Sequence, residues 1–154
     1  MIDMIWKPDV TVAAVIEREG RFLLVEEHTE RGLLFNQPAG HLEADESITA
    51  AVARETLEES AWDFLPEQLI GVYRWQSSDS ITTYLRFAFS GRLGAHHPDR
   101  ALDRGIVRTT WLAADEVRAT RARHRSPMVV RCMEDYLAGK RTPLDVMVDL
   151  GFAR

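Results

Sequence analysis

With 154 residues, 45% of them hydrophobic and 28% charged, the chain has the size and composition of one globular domain over residues 1–154, and is too short for two ordinary ones. A formal net charge of −5 argues against nucleic acid as the main partner, since neutralising phosphates needs a basic stripe. The one basic cluster, residues 118–131, reads as a solvated helix face or loop, and the lone Cys132 sits in an apolar helical pattern and reads as packing. A single cysteine excludes an internal disulfide framework. No run of eighteen apolar residues and no signal-peptide pattern is present, so a cytoplasmic chain without membrane contact is expected.

In chain order, residues 9–17 and 21–28 are β-rich runs separated by Arg18-Glu19-Gly20, which reads as a hairpin. Residues 29–36 read as a loop containing Gly32, and residues 36–40 lead tightly into an acidic helix. Asp45 is the expected N-cap of that helix, and Ala50, Ala53, Leu57 and Ala61 form its expected packing stripe. Residues 68–76 and 81–90 read as a strand pair joined by the turn Ser77-Ser78-Asp79-Ser80. A polar loop over 94–103 is followed by a strand at 106–112 and a short helix over 113–120. Ser126-Pro127 starts a last helix that runs to about 137, with Gly139 ending it. Mixed strands with helices packed against them define an α/β (α+β) sandwich.

The acidic helix carries the chemistry. Glu46 follows Gly40 by six positions, Arg54 follows Glu46 by eight, and Glu55, Glu58 and Glu59 come directly after. In a helix the last three share an arc of roughly 100°. Carboxylates so close repel one another, and a hard divalent cation such as Mg²⁺, which takes oxygen ligands, explains their grouping. These residues resemble the Nudix box, G-x5-E-x7-R-E-U-x-E-E-x-G-U, with U aliphatic. Gly40, Glu46, Arg54, Glu55, Glu58 and Glu59 match it, while Thr56, Ala61 and Trp62 depart from it. The segments NQPAGHLEADES, LRFAF, RSPMV and YLAGKRTPL further resemble a bacterial subgroup of small Nudix phosphatases.

The resemblance implies the Nudix fold, a mixed sheet between helices, and hydrolysis of nucleoside di- and triphosphates or thiamine-related pyrophosphates. It implies Mg²⁺, with Mn²⁺ as a substitute, on Glu55, Glu58 and Glu59, with the Gly40 carbonyl as a further ligand. It also implies that Arg54 pairs with Glu46 and orients the ligands. Glu55 is the first candidate for the general base, and Asp103 or Asp99 the alternative. Rival readings are a Nudix enzyme narrowly specific for a nucleotide sugar or dinucleotide, and a ligand-sensing domain without turnover.

On the substrate side, Trp75 and Tyr73 alternate along one strand, and an aromatic there stacks on a planar ring or packs in the core. Arg86 either reaches phosphate or forms a surface salt bridge, and His41 is a loop residue beside the box. No cluster of amide side chains dedicated to one base edge stands out. Hydrolysis of several nucleotides within roughly a hundredfold is therefore expected, by a monomer or homodimer acting on a small molecule. Ala61, where the motif has glycine, is expected not to be a left-handed cap, because its Cβ disfavours that conformation.

Overall fold

Residues 3–78 and 80–151 are described by a computed structural model, and Asp79 of the expected turn lies outside them. Small and branched apolar residues bury both faces of the first strand, β1 (Asp9–Ala14), where Val12, Ala13 and Ala14 expose no surface. β1 pairs antiparallel with β5 (Ala39–His41) and parallel with β7 (Thr83–His96). β7 continues antiparallel into the long β6 (Trp62–Gln76), which carries the two-residue β9 (Thr142–Pro143). The result is a mixed sheet ordered β5-β1-β7-β6-β9. A second sheet is built on β3 (Arg21–Thr29), with β8 (Ile106–Ala113) along one edge. Both β2 (Glu17–Arg18) and β4 (Gly32–Asn36) must share the other edge, because β8 already occupies the register opposite each.

Helix α1 (Ile48–Ser60) packs on one side of the first sheet, where Ala51 and Val52 meet Val12, Ala14, Leu69 and Phe89. Helix α3 (Met128–Leu137) packs on the other, where Val129, Cys132 and Met133 meet Ile70 and Ala88. The second sheet serves both cores: Leu23 contributes to the first, and Phe22, Leu24 and Phe35 to the second. The short α2 (Ala114–Ala119) buries Val117 in the second core. The α+β sandwich expected from the sequence is the observed architecture, and Cys132 is packing, with no exposed surface.

Several local expectations are corrected. The turn at Glu19 (φ 51°) and Gly20 (φ 77°) joins β2 to β3, while residues 9–14 leave for the other sheet. Residues 32–36 are not loop but β4: Gly32 (φ 98°) closes the turn, and the chain beyond it buries Leu34 and Phe35. β7 extends to His96, so part of the expected polar loop is strand. In α1 the N-cap is Ser47, whose hydroxyl accepts from Ala50 N at 3.1 Å, and Asp45 (φ 70°) sits in the preceding turn. The buried stripe runs through Ala51, Val52, Thr56, Glu59 and Ser60, whereas Ala50 is exposed and Ala53 and Leu57 are half-buried. Thr56 and Ser60 can take core positions because their hydroxyls donate to Val52 O and Thr56 O.

Ala61 overturns the capping expectation outright. It adopts φ 61°, ψ 19°, donates its N–H to Leu57 O, and accepts from His97 N at 2.8 Å. The two hydrogen bonds hold a left-handed residue that is 3% exposed, so burial of its methyl partly offsets the strain. Ala61→Gly is therefore expected to change unfolding free energy by less than about 1 kcal/mol, strain relief cancelling lost burial. Ala61→Val should cost about 2 kcal/mol or more in urea denaturation, because a β-branched side chain fits neither the φ nor the space.

Candidate active site

Arg54 is the hub of the acidic helix. Its Nε and Nη2 donate to Glu46 Oε2 and Oε1 at 2.9 and 2.8 Å, a bidentate pair across two elements. Nη1 donates to Glu55 Oε1 at 2.9 Å and Glu58 Oε2 at 3.1 Å, and Nη2 also reaches His41 O at 3.0 Å. One guanidinium thus ties the end of β5, the loop before α1 and two helical carboxylates together. Hydrogen bonding to Arg54 holds the Glu46 carboxyl below the usual range, and the same carboxylates hold Arg54 well above its ordinary value.

Glu55, Glu58 and Asp103 bring carboxylate oxygens within 4.8 Å of one another. Asp103 reaches this cluster because its N–H donates to Glu58 O at 2.9 Å, pinning the loop after β7 to the helix. The exposed Asp99 lies outside the cluster. Gly40 lines the other side, where a Cβ would overlap the Glu55 carboxyl group and push it out of the cluster. Burial pushes the Glu55 carboxyl up, and Glu58 and Asp103 push the same way against the pull of Arg54.

Glu59 sits apart from these three, on the buried side of the helix. Its Oε1 accepts from Ala39 N at 2.7 Å, and it is 7% exposed. Burial pushes it up to about 9, with Glu27, Glu55 and Asp103 adding to the effect and the Ala39 bond opposing it. Without a cation this carboxyl is neutral at pH 7.

A cavity of about 710 Å³ opens beside the acidic cluster, bounded by Ala39, Gly40 and His41 on one side and by β3, β7 and the start of α3 elsewhere. Trp75 and Tyr84 face each other across β6 and β7, ring centroids 5.9 Å apart and 18° from parallel, and both line the cavity. Tyr73 takes the packing alternative, donating to Asp135 Oδ2 at 2.8 Å against α3. Arg86 also lines the cavity, yet it forms no surface salt bridge. It is 4% exposed and donates to Gln37 Oε1 and Asn36 Oδ1, both at 3.0 Å. His41 is exposed at the rim, 3.3 Å from Asp9 Oδ2.

Sequence reasoning missed Asn36, Gln37, Glu27 and Arg125. Asn36 and Gln37, four and three positions before Gly40, reach the site as the partners of Arg86. Within the basic stretch 118–131, Arg125 lines the cavity and pairs with Glu27 at 3.5 Å, while Arg118, Arg123 and Arg131 are bound in ion pairs elsewhere.

Fold and site together define a hydrolase class built on an acidic helix beneath a mixed sheet. A family model for the NUDIX domain matches residues 7–132, and the chain belongs to the Nudix family. It is 40% identical to Phosphatase NudJ of Escherichia coli strain K12 over 147 residues, covering 96% of this chain and 95% of the relative. A NUDIX hydrolase structure from Nitrosomonas europaea is 55% identical, covers 93% of this chain and 97% of its own, and superposes with a TM-score of 0.91. The NUDIX domain of Shewanella oneidensis NrtR, solved with ADP ribose, shares the fold at 16% identity and a TM-score of 0.68, covering 86% and 90% of the two chains. The chain is thus a Nudix hydrolase acting on phosphorus-containing substrates. Among the described residues no helix is long and apolar enough to cross a membrane.

The state of Glu59 predicts a pH dependence of stability. Its carboxyl lies near 9 in the folded protein against 4.5 in the unfolded chain, so the folded state keeps a proton that the unfolded state releases. The stabilisation is complete below pH 4.5 and disappears as pH rises through 9. In a chelator, the thermal midpoint is expected to fall across this window, and Glu59→Gln should flatten the fall.

Proposed function

We propose that this chain hydrolyses phosphoanhydride bonds in nucleoside di- and triphosphates or thiamine-related pyrophosphates, with Mg²⁺ as cofactor and Mn²⁺ as substitute. The observation that carries the reading is the meeting of converging carboxylates with an aromatic, arginine-floored cavity at Gly40. The likeness to Phosphatase NudJ supports the reaction class. The donor set suits a hard cation: Glu55, Glu58 and Asp103 converge, and the Gly40 carbonyl and the Glu59 oxygen not bonded to Ala39 N would add to them, all oxygen ligands. Bound there, Mg²⁺ supplies charge neutralisation for the pyrophosphate and a more acidic water.

The chain's own residues do the rest. Glu55, raised by burial and by its acidic neighbours, takes the proton of the attacking water. Glu58 and Glu59 would hold the cation that neutralises the phosphate end of the substrate. Arg54 and Glu46 act as positioning residues, fixing the rotamers of Glu55 and Glu58 from behind. Trp75 stacks on the planar leaving moiety, and Arg86 contacts it from the cavity floor. The protein works as one domain in the cytoplasm, as a monomer or homodimer, on a small dissolved substrate.

Glu58→Gln and Glu59→Gln are each expected to lower kcat by at least about 10²-fold with the fold intact. Phosphate release with and without chelator, with Mg²⁺ added back, checks both the residues and the cofactor. Full turnover in chelator would remove the metal from the reading. Trp75→Ala is expected to weaken every planar substrate by about 1–3 kcal/mol in kcat/KM while sparing inorganic triphosphate. A loss confined to one base would show that stacking is not its role.

A further inference from the structure

The cavity floor holds a guanidinium that no carboxylate pairs with directly among the described residues, Glu27 acting on it only through space. Both terminal nitrogens of Arg86 donate to neutral amide oxygens, its Nε is buried without a hydrogen-bond partner, and none of its contacts among the described residues is an ion pair. Burying a guanidinium among neutral acceptors is costly, and a ligand that accepts from its terminal nitrogens offsets part of that cost. Because a guanidinium only donates, the orientation of both amides follows: their oxygens face Arg86 and their NH₂ groups face away. Gln37 uses its NH₂ group on Val129 O at 2.7 Å. Asn36, on the cavity wall, keeps its own NH₂ group to offer. The Arg86–Asn36 pair therefore presents hydrogen-bond donors and no acceptor. Glu27, an acceptor on the same wall, has its Oε1 drawn to Arg125.

The pair is placed to read a ring edge. Tyr84 and Arg86 share a face of β7, two residues and roughly 7 Å apart, with Trp75 directly opposite Tyr84. A ring lying on Trp75 and Tyr84 thus has Arg86 beyond its edge. We propose that Arg86 and Asn36 select rings bearing oxo groups at that edge over the same rings bearing amino groups, favouring uracil over cytosine and hypoxanthine over adenine. The inference rests on the nucleotide-hydrolase reading of the site and names its preferred bases. An oxo group accepts from this edge, whereas an amino group sets donor against donor and leaves the buried guanidinium unsatisfied. Asn36 is a positioning residue here as well as a contact, since its oxygen fixes the guanidinium plane.

The test uses equilibrium binding, read without turnover. The α,β-methylene analogues of UDP and CDP, and of IDP and ADP, are titrated calorimetrically against the full chain in Ca²⁺. The oxo member of each pair is expected to bind at least about tenfold more tightly. In Arg86→Met, and in Asn36→Asp, which gives Arg86 a carboxylate partner at nearly unchanged shape, the ratio should shrink to within about threefold. Equal affinities in the unsubstituted protein, or a ratio that survives both substitutions, overturn the proposal. So does an equal loss for all four analogues and for inorganic triphosphate at unchanged ratio, which would make Arg86 a phosphate contact. If Arg86→Met does not fold, Asn36→Asp decides alone. Failure of the parent nucleotides to turn over with Mg²⁺ would count against the proposed reaction, and the binding ratios would still decide the edge preference.

Discussion

Four carboxylates, from Glu43, Glu46, Glu55 and Glu58, converge on the single guanidinium of Arg54, and the acidic end of the molecule depends on that convergence. Glu55 and Glu58 stand together on one side of the helix and repel, and the loop leading into it adds two more glutamates. Arg54 converts this repulsion into a clamp, because one planar fork satisfies the loop, the helix and the backbone of β5 at once. With a side chain only 22% exposed, it acts in a medium less screening than water. Lysine could supply the charge but not the fork.

Around that clamp the two sheets divide the labour. The sheet built on β1 brings Gly40 to the helix on one side and Arg86, Tyr84 and Trp75 to the cavity on the other, with a single strand, β1, between β5 and β7. The sheet built on β3 roofs the cavity with Glu27 and Arg31, and Phe35 O accepts from Arg125 N at 2.8 Å to hold the start of the last helix against it. The acidic cluster and the aromatic cavity thus share the edge at Gly40 while being carried by different faces of one sheet.

The acidic constellation was legible because its parts lie within twenty residues, so spacing alone places Glu55 and Glu58 beside Arg54. What spacing could not show was burial. Glu59 reads as one more exposed acid, and only the packing of α1 against β5 reveals that its partner is a backbone amide. The α1 stripe was misassigned because Thr56 and Ser60 look polar, yet each hides its hydroxyl on its own helix. The Arg86 site was illegible for a different reason. Its amide partners lie 49 and 50 positions away and meet it only through tertiary folding. Ala61 was misread because steric preference was weighed without the His97 amide that rewards the strained carbonyl.

The parallel pairing of β1 with β7 carries a consequence for how the chain assembles. Asp9 meets Tyr84 and Ala14 meets Phe89, so the pairing of β1 with the central strand of the larger sheet bridges about seventy-five positions of sequence. Local hairpins such as β3 with β4 can close early, and β5 reaches β1 across about thirty positions, but the parallel edge of β1 must wait for β7, and loop-closure entropy slows that step. During synthesis Val12, Ala13 and Ala14, which expose no surface in the final fold, keep that edge open until about seventy-five further residues have followed them. The strand between the Gly40 edge and the Arg86 floor therefore completes its pairing in two stages, one near and one far in sequence.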